Sequence, residues 1–273
     1  MTKVIWTYWQ QGWDQAPPLV KKCHESWIRL NPDYEIHALD DKSLFNYISF
    51  PETIDFTRSD LTIQKIAVLA RLELLARFGG VWVDATVYCT RPLREWLPDC
   101  FQSEFFAFRR PTVDCLSSNW LIAAETGSLI LQRVQKDFTD FFANNQFTNQ
   151  NTPFGEMLVQ RYSQRWCKDP QATLKWHSRF AREVLRIYPY LIYHYTFNRL
   201  ILTDPSCAEQ WNQARPLLSD RPHYLQGYAR AGDGKGAIEY IRSRATPVHK
   251  LNWRVDSASP YWAAVLDELE ACV

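Results

Sequence analysis

Apolar residues recur along this chain with two different periods, and the alternation of those periods lays out its elements. Lys3–Trp9 (KVIWTYW) is an apolar and aromatic run that predicts a strand, broken by Gln10, Gln11 and Gly12. Pro17 and Pro18 then open a helix to about Leu30, with Val20, Cys23, His24 and Trp27 at helical spacing and Asn31-Pro32 as its stop. Tyr34–Ala38 predicts a second strand, closing on Leu39-Asp40-Asp41, and a short helix is predicted over Lys42–Ile48. A β-α-β opening of this kind predicts an α/β protein whose parallel strands present ligand loops at their carboxyl ends.

The segment from Ile63 to Thr90 carries the strongest pattern. After a loop over Pro51–Asp60, with Asp60 read as a cap, Ile63–Phe78 predicts one amphipathic helix. At about 100° per residue, Ala67, Leu74, Leu75 and Phe78 all fall within about 60° of Arg71, so a guanidinium sits in the middle of the apolar face. A cation placed there needs an anion as partner. Gly79 and Gly80 end the helix, and Val81, Trp82 and Val83 form a continuous apolar run suited to a central strand covered on both faces. Asp84 emerges at the carboxyl end of that strand, where a carboxylate can hold a metal or a polar substrate, cap a turn, or pair with Arg71.

Further along, Glu104–Phe108 predicts a strand, Ser128–Phe142 and Glu156–Trp166 predict helices, and Asn144–Pro153 is a polar loop placed as a flap over a ligand. In Tyr188–Leu200 the dense aromatics read as core, and His194 with them as a structural histidine. Gly232–Gly236 lacks the spacing of a phosphate loop and reads as a turn, and Ser259-Pro260 starts a last helix to about Ala271.

Composition narrows the function classes. The 273 residues are long enough for one α/β domain with a substantial core, and a single domain is expected. A formal charge of +1 gives no general attraction to nucleic acid, and no nucleic-acid partner is expected. Seven cysteines without Cys-x-x-Cys spacing indicate neither a zinc site nor a disulfide framework, and fit reduced thiols. No apolar run approaches the roughly 18 residues of a membrane span, and MTKVIWTYW enters a strand without a signal-peptide layout. A cytoplasmic protein is expected, or one peripheral at the cytoplasmic face of a membrane. The absence of Gly-x-Gly-x-x-Gly after the first strand argues against a Rossmann oxidoreductase.

The segment Arg71–Val87, RLELLARFGGVWVDATV, resembles the signature of the capsular polysaccharide synthesis proteins, relatives of glycosyltransferase family 32. Trp9, Gly12, Ser26, Trp27, Asn31 and Pro32 stand where the same family has an apolar strand ending in Trp, a glycine turn, a helix with Ser-Trp, and Asn-Pro. The resemblance implies a GT-A fold, with a Rossmann-like, mostly parallel central sheet flanked by helices and helical additions at the C-terminus. On it, residues 1–98 would bind a nucleotide sugar, and residues 99–273 would supply the acceptor side and the C-terminal helices. It further implies that Trp9 stacks on the base with Gln10 beside it, that Arg71 contacts the donor sugar, and that Asp84 is the first aspartate of a metal motif.

Thr86 stands where the second aspartate of that motif would be, and Val68 where the wider pattern has an aspartate touching the donor sugar. Asn119 matches a family asparagine that borders the active site, placed either for a sugar hydroxyl or at a turn. Asp40 and Asp41 are positioned either to approach the ribose or to cap the helix after them. In Thr246–Arg254, TPVHKLNWR, the order of His249, Lys250 and Trp253 resembles a C-terminal segment of retaining GT-A enzymes. A neutral His249 would complete the coordination of Mn²⁺ or Mg²⁺ begun by Asp84, and Lys250 would offset charge on the departing diphosphate.

The expected function is therefore transfer of a hexose from a nucleotide diphosphate sugar, UDP-hexose by preference, to a capsular or other bacterial surface glycan or a lipid-linked saccharide, with retention. Arg242, Arg244, Lys250 and Arg254 give a local positive field suited either to a diphosphate or to anionic lipid headgroups, and peripheral contact with the inner membrane or with capsule assembly proteins is a further expectation. The alternative is a catalytically silent nucleotide-sugar or glycan-binding subunit of a capsule assembly complex, motivated by Val68 and Thr86 replacing two acids.

Overall fold

The computed structural model describes residues 1–50, 54, 57–255 and 259–272. The expected loop at Pro51–Asp60 lies partly outside the described residues. Its strands are β1 (Val4–Tyr8), β2 (Glu35–Leu39), β3 (Gly80–Val83), β4 (Val87–Cys89), β5 (Phe105–Arg109), β6 (Ser117–Ala124) and β7 (Val248–Lys250). The helices are α1 (Pro18–Leu30), α2 (Ile63–Phe78), α3 (Leu97–Cys100), α4 (Leu129–Ala143), α5 (Pro153–Trp166), α6 (Ile192–Thr203), α7 (Pro205–Gln213), α8 (Tyr224–Ala231), α9 (Gly234–Arg242) and α10 (Pro260–Ala271).

Five strands form the central sheet in the order β2-β1-β3-β6-β5, while β4 and β7 pair separately as an antiparallel ribbon. β1 lies parallel to both β2 and β3, and β6 runs against both β3 and β5, so four of the five strands point the same way. The fold is mixed α/β with a mostly parallel sheet flanked by helices. Because the chain leaves β1 to one side for β2 and to the other for β3, their carboxyl ends open a crevice at a topological switch point.

Period-two alternation divides the sheet between two cores. Trp6, Tyr8, Trp82, Ile122, Phe105 and Ala107 face one core, together with apolar residues of α2, α4 and α6. Ile5, Val81, Val83, Leu121, Ala123, Phe106 and Phe108 face the other, with Trp27, Trp96 and Leu97. The apolar run Val81–Val83 is thus buried on both faces, as its lack of alternation predicts.

Helix α2 departs from a two-faced helix. Lys65, Val68, Leu69, Ala70, Arg71, Leu72, Leu74 and Leu75 are all buried, so the helix is enclosed on most of its circumference, and Phe78 is 38% exposed. Its N-cap is Thr62; Asp60 instead accepts hydrogen bonds from Arg58 at 2.9 and 2.7 Å and from the Phe147 amide at 2.8 Å. The helix expected over Lys42–Ile48 is only a 3₁₀ turn at Leu44–Asn46. Asp233 caps α9 with an acceptor for the Gly236 amide, so the glycine-rich turn runs directly into a helix.

Gly80 has φ +94°, and a Cβ there would lie 2.5 Å from the Val4 carbonyl oxygen of the neighbouring strand. Gly80→Ala is expected to cost roughly 2–4 kcal/mol, measurable as a shifted denaturant midpoint. A midpoint unchanged from the parent would contradict that strain.

Candidate functional site

Trp9 follows β1 and Asp84 follows β3, so the switch-point crevice brings them to one place. There the structure has a cavity of about 270 Å³. The stripe Gln64, Ala67, Val68 and Arg71 of α2 forms one wall, at the i, i+3, i+4, i+7 spacing of a helix face. Asp84, Thr86, Asn119 and Lys250 form the floor and far side.

Arg71 is 5% exposed. One guanidinium nitrogen donates to Asp84 Oδ1 at 3.0 Å, another donates to the Asn119 carbonyl, and the guanidinium lies 4.9 Å from the Trp82 ring centre. Trp82 Nε1 donates to the same Oδ1 at 3.0 Å. The other carboxylate oxygen, Oδ2, accepts from Lys250 Nζ at 3.2 Å, and Nζ also donates to Thr86 Oγ1 at 2.6 Å. Burial by itself would raise the Asp84 pKa, but Lys250 and Arg71 outweigh it and hold the carboxyl below its ordinary value. Asp84 is therefore ionised at neutral pH, between two cations.

Lys250 arrives from far along the chain. β4 begins three residues after Asp84, and its pairing with β7 sets Val87 opposite Lys250 and Tyr88 opposite His249. The Lys250 carbonyl accepts from Gln226 Nε2 at 2.8 Å, which fixes the strand end from α8.

Adjacent residues of a strand point to opposite faces. Lys250 lines the cavity; His249 does not. The His249 ring is 2% exposed, lies 5.9 Å from the Tyr240 ring, and is pushed down to about 3 by burial. The metal pair expected as Asp84 with His249 is thus not assembled, because the register of β7 turns the imidazole away. Both Asp84 oxygens are committed to cations and to Trp82, and among the described residues no group of three or more His, Cys, Asp or Glu side chains stands close enough to hold a metal ion. With both Asp84 oxygens engaged, the described side chains of the cavity leave no free carboxylate for Mn²⁺ or Mg²⁺, which is held by one or two carboxylates together with substrate phosphates, and in this arrangement they do not fit the ion.

The remaining expected residues divide cleanly. Trp9 lines the cavity, its ring 5.7 Å from and nearly perpendicular to that of Trp253, and its buried indole Nε1 has no hydrogen-bond partner among the described residues. Thr86 and Asn119 line it, Asn119 holding Arg71 through its carbonyl. Val68 faces it too, so an apolar side chain stands at the position where the wider pattern has an acid. Gln10 is not among the lining residues. Neither are Asp40 and Asp41: Asp40 closes its own turn on the Lys42 and Ser43 amides, and Asp41 accepts from the Tyr8 hydroxyl.

Sequence reasoning missed part of the wall. Lys65, Tyr190, Tyr193 and His194 also line the cavity. Lys65 Nζ donates to the Tyr190 carbonyl at 2.5 Å, and burial, then Arg71, brings its pKa down to about 8. His194 is 9% exposed, is pushed down to about 3 by burial and by the nearby Lys65 and Arg71, and has no partner for Nδ1 among the described residues. The signal for Lys65 was its place beside Gln64 on the stripe that carries Val68 and Arg71; the aromatic density of Tyr188–Leu200 concealed the others.

Buried neutral histidines make the fold acid-sensitive. His194 and His249 have lower pKa values folded than their ordinary 6.5, so between about pH 3 and 6.5 the unfolded chain binds more protons. Stability therefore falls as pH drops through that window, by about 1.4 kcal/mol per pH unit per histidine at the limit. Asp84, with its pKa depressed, adds to the loss at lower pH. Thermal melts at about pH 7, 5.5 and 4.5 should show a steep decline that His249→Gln flattens; parallel slopes in parent and variant would contradict it.

Comparison with known proteins assigns the family. Residues 1–154, more than half of the chain, match the family described as capsular polysaccharide synthesis protein. The chain belongs to that family. The matched part contains Trp9, Arg71, Asp84, Thr86 and Asn119, whereas Tyr190, His194 and Lys250 lie beyond it. The chain is also similar to an O-glycosyltransferase of Annulohypoxylon truncatum, 30% identical over 150 residues that make up 48% of this chain and 35% of the relative. An O-glycosyltransferase of Phomopsis amygdali is 28% identical over 146 residues, 47% of this chain and 36% of that protein. An uncharacterized glycosyltransferase of Acanthamoeba polyphaga mimivirus is 25% identical over 152 residues, 54% of this chain and 56% of its own length. The chain thus spans about a third of the first two relatives and about half of the third. The mixed α/β architecture is consistent with a glycosyltransferase fold. Among the described residues, no helix is long and apolar enough to cross a membrane.

Proposed function

We propose that this protein is a glycosyltransferase that moves a hexose from a nucleoside diphosphate sugar, UDP-hexose by preference, to a surface glycan or lipid-linked saccharide. The observation that carries this reading is a cavity at the switch point of the sheet lined, among the described residues, by the cationic side chains Lys65, Arg71 and Lys250 and by one carboxylate, Asp84. That balance favours an anion. Trp9 and Trp253, the latter 41% exposed, give the base an aromatic enclosure beside it.

On this reading the chain's work is positioning and charge stabilisation. The bond from the anomeric carbon to the diphosphate oxygen breaks, and the acceptor hydroxyl oxygen forms the new bond. Its proton passes to the departing phosphate oxygen, an arrangement that retains configuration and needs no protein nucleophile. Arg71, locked by Asp84 and the Asn119 carbonyl, faces the sugar, and Lys250 faces the diphosphate. A second cavity of about 320 Å³, bordered by Gln150, Asn151, Glu156 and Gln160, shares Lys65 and Tyr190 with the first and offers the acceptor its approach. Names of relatives as O-glycosyltransferases support a hydroxyl acceptor.

The test is incubation of the purified protein with a panel of UDP-, GDP- and ADP-sugars, reading nucleotide release by chromatography. Release from one donor supports the transferase. Nucleotide binding without cleavage of any donor, with and without oligosaccharide acceptors, would instead favour the silent binding subunit, a reading that Val68 on the cavity wall keeps in play.

A further inference from the structure

We propose that the Lys250 ammonium, held between Asp84 and Thr86, is the resident cation of this site, so that the protein binds its nucleoside diphosphate without a divalent metal. This rests on the donor reading given above and deepens it.

Four observations carry it. The two positions where a metal motif would present paired carboxylates are Asp84 and Thr86, and both side chains converge on Lys250 Nζ, at 3.2 and 2.6 Å. A divalent ion bound to Asp84 Oδ2 would sit within a few ångströms of that ammonium, a like-charge contact in a partly buried site, so ion and lysine exclude each other. Asp84 Oδ1 is no alternative, since Arg71 and Trp82 both donate to it at 3.0 Å. The imidazole nearest in sequence, His249, is turned to Tyr240 on the opposite face of β7.

The charge arithmetic agrees. Among the described residues Lys65, Arg71 and Lys250 against Asp84 leave the cavity with two net positive charges to set against a diphosphate. An ammonium is a compact point charge with three donors and serves phosphate oxygens well, requiring none of the octahedral oxygen cage that Mg²⁺ demands. Thr86 then has a positive role. Its hydroxyl accepts from Nζ without adding a second negative charge, so Lys250 keeps attraction to spare for the phosphate. A second aspartate at position 86 would neutralise it.

Calorimetric titration of UDP, with GDP in parallel, into the full chain tests this in EDTA and in Mn²⁺. Parent protein should bind one of the nucleotides with affinities that agree within about threefold in the two conditions. Lys250→Met should weaken UDP binding in EDTA by about tenfold or more while leaving uridine binding unchanged, because only the phosphates lose a partner. Lys250→Arg should recover most of the loss. Thermal melts of each variant establish that it is folded, and the comparison of nucleotide with nucleoside is internal to each. Binding by the parent that EDTA abolishes and Mn²⁺ restores would overturn the inference and leave the donor site standing. Failure of both UDP and GDP to bind, with or without metal, would overturn both.

Discussion

Asp84→Asn is expected to lower the melting temperature by roughly 10 °C and to reduce glycosyl transfer by at least a factor of about 100. The reason is charge balance. Asp84 is the shared anion of two cations, Arg71 at 5% exposure and Lys250 with a side chain 18% exposed. Neutralising it leaves both without a counterion, and removing one member of a buried ion pair costs about 3–5 kcal/mol. The asparagine amide would also offer a donor where Lys250 or Arg71 already donates, so the pair would move apart and the cavity would lose its shape. Differential scanning fluorimetry and a transfer assay on the same preparation measure both effects. A melting temperature within about 2 °C of the parent would show that the carboxylate is not the counterion that the geometry assigns.

Arg71→Met should act differently, since Asp84 keeps Lys250 as partner. Turnover is expected to fall about a hundredfold while UDP affinity changes by no more than about threefold, the pattern of a group that serves the transferring sugar. Arg71→Lys should rescue little. The guanidinium spans Asp84 Oδ1 and the Asn119 carbonyl together, and a lysine supplies one point charge where that fork is needed. Equal losses in turnover and in UDP affinity would place Arg71 on the diphosphate instead, and a variant that unfolds would make the arginine a structural residue.

Much of this site was legible in the residue pattern. Arg71 in the middle of an apolar face required an anion, and Asp84 at the end of a doubly buried strand was the nearest one; the structure joins them at 3.0 Å. The boundaries of α2 agree with the glycine stop, and α10 with the Ser-Pro start, because caps and breakers act within a few residues. Other expectations failed where a local signal was overruled by packing. Asp60 looks like a cap, yet its carboxylate is drawn to Arg58 and the Phe147 amide. Tyr193 and His194 look like core, and they are buried, but the cavity passes beside them.

Periodicity and the cost of leaving a charge unpaired were enough to mark β1, β2, β3, β5, α1, α2, α4, α5 and α10, the buried charge on α2 and the acid at the end of β3, whereas β4, β6, β7, α3 and the helices α6 to α9 were not read from the pattern. Which of two neighbours, His249 or Lys250, meets Asp84 across 166 positions of chain was settled by the packing of distant strands. Residue types favoured both. A strand sends successive side chains to opposite faces, so the register of β7 on β4 admits one and excludes the other, and that register is set by pairing with a strand whose place in the sequence carries no mark of it.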